Sequence, residues 1–180
     1  MIAFSSPVDA KDHRRLMGTW ATGVSLVTTL VDGERFGCTI NSLTSLSLDP
    51  PSVLISLSHK SRTLAAIEKR GRFCVNVLTS YQEDVSRRFA DASLTMKERF
   101  DSTPHGDWFE VPVVADCLAT LVCDVMDRTT LSDHIVIAGH VVHGAFDDEK
   151  WPLVFFRGEY YTPRTEEQAR GGPPPSRVKR

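Results

Sequence analysis

The chain has 180 residues, which is long enough for one domain with its own hydrophobic core. Hydrophobic residues make up 41% and charged residues 24%, as in an ordinary globular protein, and the net charge of −2 disfavours general nucleic-acid binding. No apolar run approaches the roughly 20 residues of a membrane-spanning helix, and the N-terminus lacks the pattern of a signal peptide. We therefore expect a cytoplasmic protein with no nucleic-acid or membrane partner.

The cysteines and histidines give no metal-binding pattern. None of the cysteines forms a C-x-x-C pair, so free thiols in a reducing compartment are a better interpretation than a zinc ribbon or a disulfide framework. These cysteines are Cys38, Cys74, Cys117 and Cys123. His140 and His143 are three apart on a predicted strand and are expected to face opposite sides of it, so no metal is assigned.

The N-terminal part of the chain is predicted to form a helix followed by strands. Residues 9–20 favour a helix, because Asp9 can cap it and because Leu16 and Trp20 share one face, with Trp20 expected in the core. Asp32-Gly33 between two β-rich runs indicates a two-residue hairpin turn. The predicted strands here are residues 23–31, 35–42 and, after Pro50-Pro51, 52–58.

A second helical region follows in the middle of the chain. Residues 61–71 favour a helix that begins after Ser61 and ends at Gly71, and the strand 72–78 follows it. Ser80 and Glu83 match a capping box. Behind this box lies an apolar stripe that we expect in the core, formed by Tyr81, Val85 and Phe89. Residues 91–112 are predicted to form a long loop.

The C-terminal part contains three more strand-like runs, residues 117–126, 134–146 and 152–156. Residues 163–180 contain GGPPP and almost no large apolar side chains, which predicts a disordered basic tail after a domain of residues 1–162. Six or seven strands joined mostly by short turns favour an antiparallel barrel. The chain has neither a G-x-G-x-x-G nor a P-loop motif, so a Rossmann or P-loop nucleotide site is not supported.

Residues 38–62 combine a β-rich apolar pattern with many small hydroxyl side chains. In the strand 52–58, the pleat separates the serines from the apolar residues Val53, Ile55 and Leu57. A polar face that meets water is one open interpretation. Such faces normally carry Lys and Glu, however, whereas residues 37–58 contain one charge, Asp49. Small neutral donors therefore favour a surface that a ligand covers.

The loop that ends this segment, His59-Lys60-Ser61-Arg62, places cations at the N-terminus of the predicted helix. A helix N-terminus has free N–H groups and a positive dipole end, and cations strengthen its attraction for anions. The loop is therefore a candidate phosphate site.

The sequence resembles the flavin reductase-like, FMN-binding split-barrel family, the small reductase components of two-component flavin-dependent monooxygenases. The resemblance runs from about Phe4 to Tyr161, with the family's motifs in its order and spacing. The motifs are WATGVSLVTTLVDG, GCTINSLTSLSLDPPSVLISLSHKSRT, GRFCVNVL, RRFA, SDHIVIAGHV and PLVFFRGEYY. One position departs from the family, which usually has Gly-Asp-His where this chain has Ser132-Asp133-His134.

The resemblance implies a mainly β, antiparallel split barrel with a few short helices, usually a homodimer, with FMN or FAD in a groove near the dimer interface. The residues that it assigns to flavin are Thr39, Ile40, Asn41, Ser42, Ser58, Lys60, Ser61, Arg62, Thr63, Arg88 and Phe89. Those assigned to the nicotinamide are Asp133, His134 and Tyr160. Alternatives stay open for two of these residues: His134 as a structural histidine at a strand end, and Tyr160 as part of a plain edge-strand pair.

The implied reaction is hydride transfer from nicotinamide C4 to flavin N5, which the cofactors carry, so no catalytic side chain is assigned. NADH is favoured over NADPH, because no additional Arg pair for a 2′-phosphate is found. The reduced flavin would pass to an oxygenase component. The alternative is a flavin-binding electron carrier of the same fold without nicotinamide turnover, and Asp133 and His134 favour the reductase.

Overall fold

The computed structural model describes residues 7–163, which are mainly β structure with a few short helices. The helices are α1 (Ala10–Met17), α2 (Arg62–Arg70), α3 (Glu83–Ala90) and α4 (Met96–Asp101). The strands are β1 (Thr22–Gly23), β2 (Ser25–Val31), β3 (Glu34–Ile40), β4 (Thr44–Leu48), β5 (Pro51–Ser58), β6 (Arg72–Val77), β7 (His105–Trp108), β8 (Val111–Val114), β9 (Ala119–Leu131), β10 (His134–Phe146), β11 (Val154–Phe156) and β12 (Glu159–Tyr161). The predicted tail lies outside the described residues apart from Pro163.

The main sheet has seven strands in the order β3-β2-β6-β9-β10-β5-β4, and every neighbouring pair is antiparallel. A three-stranded sheet, β1-β11-β12, and the hairpin β7-β8 complete the architecture. The expected mainly β, antiparallel split barrel with a few short helices is therefore confirmed.

The main core lies on the inner face of the large sheet. It joins side chains from strands far apart in the sheet order with two from α2, so the sheet curls around them: Val27, Ile40, Val53, Ile55, Leu57, Leu64, Ile67, Phe73, Val75, Cys123 and Ile137. Burial of such apolar area is the dominant favourable term in folding. The pleat prediction for β5 is confirmed, since Val53, Ile55 and Leu57 are all buried.

Several local signals in the sequence form the structures that they predict. Asp9 caps α1 by accepting a hydrogen bond from Asp12 N at 2.8 Å. Asp32 and Gly33 form the β2–β3 turn with φ of 52° and 81°, the positive angles that a twisted two-residue hairpin requires. Ser61 caps α2, which ends at Gly71 with φ of 72°.

The predicted long loop at residues 91–112 is wrong. It contains α4, the strand β7 and the start of β8. The helix begins with a capping box between Thr95 and Glu98, a T-x-x-E signal that was readable in the sequence. The hairpin gave no such signal, because its turn uses Phe109 and Glu110 at φ of 49° and 64°, angles that these residue types rarely adopt.

The predicted capping box at Ser80 and Glu83 is also wrong. Helix α3 begins after Gln82, whose side chain makes no capping hydrogen bond. The Gln82 Oε1 atom instead accepts hydrogen bonds from the backbone N and the Oγ1 of Thr79. Tyr81 precedes the helix and is 61% exposed, so it does not join the core with Val85 and Phe89.

Two further expectations fail at the surface. Helix α1 ends at Met17, and Trp20 is 67% exposed instead of lying in the core. The segment between the strands β3 and β5 also forms a strand, β4, at the edge of the main sheet. Apolar side chains on this edge strand, such as Leu48, are exposed, so β4 lacks the alternation of buried and exposed residues that predicts a strand.

A register shift changes the expected placement of His140 and His143. The pairing of β10 with β9 skips Val142, so these two histidines do not face opposite sides as regular alternation predicts. Both lie near Asp124 and lower the pKa of its carboxyl, after the larger effect of the hydrogen bonds from Arg72. Within residues 7–163, no cluster of three His, Cys, Asp or Glu side chains is arranged to hold a metal ion.

Candidate functional site

A cleft of about 370 Å³ opens where β3 and β5 end and where α2 and β10 begin. This volume lies in the range of about 300–1,000 Å³ that is typical of small-molecule sites. Its lining residues are Cys38, Thr39, Ile40, Asn41, Ser42, Ser56, Leu57, Ser58, Ser61 and His134. The fold therefore brings the hydroxyl-rich segment and the start of β10, more than 70 residues apart in sequence, to one surface.

Some hydroxyls of the cleft build its walls. Ser42 Oγ donates to Ser56 O at 2.9 Å and accepts from Ser56 N at 3.2 Å, which ties the end of β3 to β5. Thr39 Oγ1 donates to Ser86 O at 2.6 Å and so holds α3 against β3. The side chain of Asn41 and the hydroxyl of Ser56 form no hydrogen bond within the described part of the chain, which leaves them available to a ligand.

The β5–α2 loop has the features of an anion site. Ser61 Oγ caps α2 by accepting from Leu64 N at 3.3 Å, and Ser58 Oγ accepts from Lys60 N at 3.4 Å. The first turn of α2 carries no acidic residue. Lys60 and Arg62 are exposed, and neither forms an ion pair with another described residue. A helix N-terminus with two available cations favours phosphate.

His134 borders the same cleft from the opposite strand. It pairs with Ser58 in the β10–β5 register, and its Nδ1 lies 2.8 Å from Asp133 Oδ1. Asp133 is exposed, and the hydrogen bond from the imidazole, the largest effect, lowers the pKa of its carboxyl. This bond fixes the orientation of the ring, so its Nε2 atom is directed away from Asp133.

Cys38, Ser56 and Leu57 line the cleft but were not assigned from the sequence. Burial, the largest effect, raises the pKa of the Cys38 thiol against a smaller lowering by the nearby hydroxyls of Thr63 and Ser61, so it is a neutral thiol at neutral pH. The pleat of β5 is the signal for Ser56, because Ser56 lies on the serine face of this strand, opposite Val53, Ile55 and Leu57. No sequence pattern singled out the other two.

Two residues expected to contact flavin are buried instead. The Thr63 side chain is 1% exposed and lies beside Cys38 beneath the first turn of α2. Phe89 is also 1% exposed and packs edge-to-face on Phe100 at 5.0 Å between ring centroids. Neither side chain offers surface to a ligand within this chain. Both side chains face the core on α2 and α3, so any contact that they make with flavin stays a prediction that burial disfavours.

Two other assigned residues are committed to partners outside the cleft. Arg88 donates to Thr103 Oγ1 at 2.8 Å and pairs with Asp84 at 3.1 Å. The Tyr160 hydroxyl is hydrogen-bonded to Ser86 Oγ at 2.8 Å, and its ring contacts Phe155. The structure thus does not bring Arg88 or Tyr160 to the surface that His134 lines.

The helices within residues 7–163 are all too short and polar to cross a membrane.

Comparisons with known proteins agree with this geometry. The model of the flavin reductase-like domain family matches residues 17–164. HsaB, the reductase subunit of a flavin-dependent monooxygenase in Mycobacterium tuberculosis, is 35% identical over 158 residues, which are 87% of this chain and 83% of that protein. A Lentzea aerocolonigenes protein named flavin reductase (NADPH) is 35% identical, over 88% of this chain and 95% of its own.

One further relative and one solved structure extend the comparison. A probable flavin reductase of Rhizobium meliloti is 37% identical over 87% of this chain, which spans only half (50%) of that longer protein. The NADH:FAD oxidoreductase SgcE6 of Streptomyces globisporus C-1027, solved with NAD and FAD fragments, superposes with a TM-score of 0.86 and 29% identity, over 92% of this chain and 99% of that one. The family match covers most of the chain and contains the cleft, and the chain therefore belongs to the flavin reductase-like domain family.

Proposed function

We propose that this protein reduces FMN or FAD with a nicotinamide cofactor and releases the reduced flavin to a partner oxygenase. The observation that carries the proposal is the single cleft that joins the hydroxyl-rich segment to His134. Names of relatives that refer to monooxygenase reductase subunits and to NADH or NADPH support it.

The residues of the cleft fit a flavin. Ile40 and Leu57 line the cleft with the small part of their apolar surface that the core leaves open, while Asn41 and Ser56 offer free polar groups to the edge of a flat ring or to a ribityl chain. The loop with Lys60 provides the anion site for the phosphate at the N-terminus of α2. Each part of the flavin thus meets groups of matching polarity.

His134 is proposed to hold the nicotinamide. The hydrogen bond to Asp133 fixes the ring, and the remaining Nε2 can donate to or accept from a carboxamide. When bound, the two cofactors supply the hydride donor and acceptor, so the chain needs no acid, base or nucleophile of its own. The neutral Cys38 thiol adds no charge to the cleft.

The choice of cofactor is proposed as NADH. A 2′-phosphate would need additional cations, and the two that the cleft region offers, Lys60 and Arg62, are assigned to the flavin phosphate. The NADH:FAD name of one structural relative supports this choice, whereas another relative is named for NADPH. Turnover with equal concentrations of NADH and NADPH decides it.

A homodimer is proposed from the exposed apolar surface. Trp20, Leu48 and Phe146 are 67%, 89% and 81% exposed, and contact with a second copy of the chain would remove apolar surface of this kind from water. Sedimentation that gives the mass of one chain at micromolar concentration would contradict the dimer.

The location is proposed as cytoplasmic. The four cysteines are free thiols, which fit a reducing compartment.

The decisive experiment mixes the purified chain with NADH and free FMN or FAD and follows the nicotinamide absorbance. We expect flavin-dependent oxidation of NADH and quenching of flavin fluorescence on binding. Binding without oxidation of either nicotinamide would favour an electron carrier. A protein that neither binds flavin nor oxidises NADH would refute the proposal.

A further inference from the structure

Two loops that carry different parts of the site meet at the rim of the cleft. The pairing of β5 with β10 ends at Ser58 and His134, and one more hydrogen bond continues it, from His59 N to Asp133 O at 3.1 Å. The imidazole of His59 then reaches the same turn, because its Nε2 lies 3.2 Å from Ser132 O. The β5–α2 loop and the β9–β10 turn are thus joined by a single residue.

The chemistry of this contact fixes its direction. A backbone carbonyl can only accept a hydrogen bond, so the Nε2 of His59 carries the proton and donates. A neutral His59 ring makes this hydrogen bond only in the tautomer with the proton on Nε2. A protonated ring makes the same bond, because both of its nitrogens carry a proton. His59 therefore donates twice to consecutive carbonyls, of Ser132 from its side chain and of Asp133 from its backbone.

The turn that receives these bonds has a strained residue. Ser132 has a φ of 53°, at the first position of a two-residue turn where glycine is the favoured residue. A serine held at this angle needs support from its surroundings. The Ser132 carbonyl is the atom that the His59 side chain binds, and the turn leads directly into Asp133 and His134.

We infer that His59 is a positioning residue, which couples the phosphate loop to the turn that carries His134. This inference rests on the proposed function, since it takes the loop as the flavin phosphate site and His134 as the nicotinamide contact. A phosphate that orders the loop also orders His59, and through it the turn. Flavin and nicotinamide then bind with positive coupling, which must be the same in both directions.

A merely structural hydrogen bond makes a different prediction. It would contribute to the melting temperature and leave the affinity of one cofactor independent of the other. The coupling, and not stability, is therefore the quantity to measure. His59 is exposed and outside the core, so its variants are expected to fold.

The test uses the full chain and two variants of similar side-chain length. His59→Gln keeps a donor at about the reach of Nε2, and His59→Met removes it. FMN affinity is measured by fluorescence quenching with and without saturating NAD⁺, and kcat and KM for NADH are measured at saturating FMN. Melting curves accompany each protein.

In the wild type, NAD⁺ should tighten FMN binding. In His59→Met this coupling should fall by about three- to tenfold, the effect of one hydrogen bond, and KM for NADH should rise by a similar factor with little change in kcat. FMN affinity without NAD⁺, measured for each protein, is the reference from which the coupling is calculated, so any direct effect of position 59 on the phosphate loop is separated from the coupling. His59→Gln should restore most of the coupling.

Three results would overturn the inference: no coupling in the wild type, unchanged coupling and KM in His59→Met, or equal defects in both variants. Failure of the proposed function is recognised separately. In that case the wild-type chain itself neither binds FMN nor oxidises NADH, whatever residue stands at position 59.

Discussion

Asn76 and Asn41 have the same side chain in two different regions of the molecule, and only that of Asn76 has its hydrogen bonds satisfied within the described part of the chain. Asn76, on β6, is 0% exposed; it donates to Leu26 O and Thr28 Oγ1 and accepts from Val114 N at 2.9 Å. Asn41, at the cleft, is exposed and has no hydrogen-bond partner within residues 7–163. Polar groups that satisfy each other hold the fold together, whereas those left open can bind a ligand.

The contrast extends beyond the two asparagines. Thr28 Oγ1 donates to Pro112 O at 2.5 Å, so the buried network fastens β8 to the barrel. At the cleft, Lys60 and Arg62 stand without carboxylate partners among the described residues. Substitutions in the closed network should therefore change stability, and substitutions at the open cleft should change binding.

The largest effect is expected for Asn76→Ala. It removes three hydrogen bonds and leaves the buried Val114 N–H without a partner, so the free energy of unfolding should fall by about 2–4 kcal/mol. Urea-induced unfolding measures it. Flavin affinity per folded molecule should stay unchanged, because Asn76 does not line the cleft.

Asn41→Ala is the matched control. Its unfolding free energy should stay within about 0.5 kcal/mol of the wild type, because the side chain is exposed and unpaired. FMN binding should weaken instead. If both asparagine variants lose stability alike, the distinction between a closed network and an open cleft is wrong.

Lys60→Ala should weaken FMN binding by about ten- to a hundredfold, the effect of one charge-assisted hydrogen bond to a phosphate, with no loss of stability. Lys69→Ala is its control, a lysine on the helix α2 that follows the loop. Lys69 lies in the last turn of α2 and pairs with Asp32 at 2.5 Å, far along the helix from the loop. Equal FMN affinities in the two variants would remove the phosphate-loop assignment.

Ser61→Ala should change both stability and binding, because Ser61 has a structural role and also borders the cleft. Its hydroxyl caps α2 and also lines the cleft, so we expect a loss of about 1 kcal/mol in unfolding free energy together with weaker FMN binding. Ser61→Asp restores the cap but places a negative charge near the phosphate. Recovery of stability without recovery of FMN affinity would separate the two roles, and recovery of both would contradict the phosphate assignment.

Local signals predicted the elements whose stability is local. Asp32-Gly33, Ser61 and Gly71 each encode a backbone angle or a cap, and each lies where the sequence places it. The edge strand β4 and the position of Trp20 depend on what packs against them. Such partners are invisible to a pattern read along one chain.

The site shows the same division. The loop that contains Lys60 was predicted from helix chemistry, and the family resemblance placed His134 at the active region; both border or adjoin the cleft. Phe89 and Thr63 follow the same motifs but turn inward, because helix rotation sets which side of a motif is exposed. Residue type thus predicts the chemistry, and packing decides which members of each motif face the cleft.

His134→Ala should raise KM for NADH or slow hydride transfer by about tenfold, with FMN affinity near normal, because a fixed imidazole orients the nicotinamide. Stopped-flow reduction of the flavin-loaded protein measures this effect.

His105→Ala is the control variant, because His105 lies away from the cleft and its ring already has partners within the protein. Its ring is hydrogen-bonded to Thr103 O and packs on Phe100, so its loss should lower the melting temperature and leave KM alone. Normal reduction at every NADH concentration in His134→Ala would leave that residue only a structural role.

The smallest effect is expected for Asp124→Asn, a partly exposed residue on β9. Its carboxylate accepts two hydrogen bonds from Arg72 on β6, at 2.6 and 3.1 Å. These bonds hold the pKa of Asp124 below its ordinary value. Because the folded pKa is lowered, the pair stabilises the protein at pH values above the unfolded pKa of about 3.9, and this contribution is lost as the pH falls through the folded value. The side chains of Arg72 and Asp124 are 28% and 41% exposed, so solvent screening limits the loss of unfolding free energy in Asp124→Asn to at most about 1 kcal/mol at neutral pH.

Urea unfolding of the wild type and of Asp124→Asn across a pH series measures this loss. The difference in unfolding free energy between the two proteins should shrink below about pH 4. A difference that persists unchanged in acid would mean that the asparagine disturbs packing, and that the charge of Asp124 contributes nothing to this region.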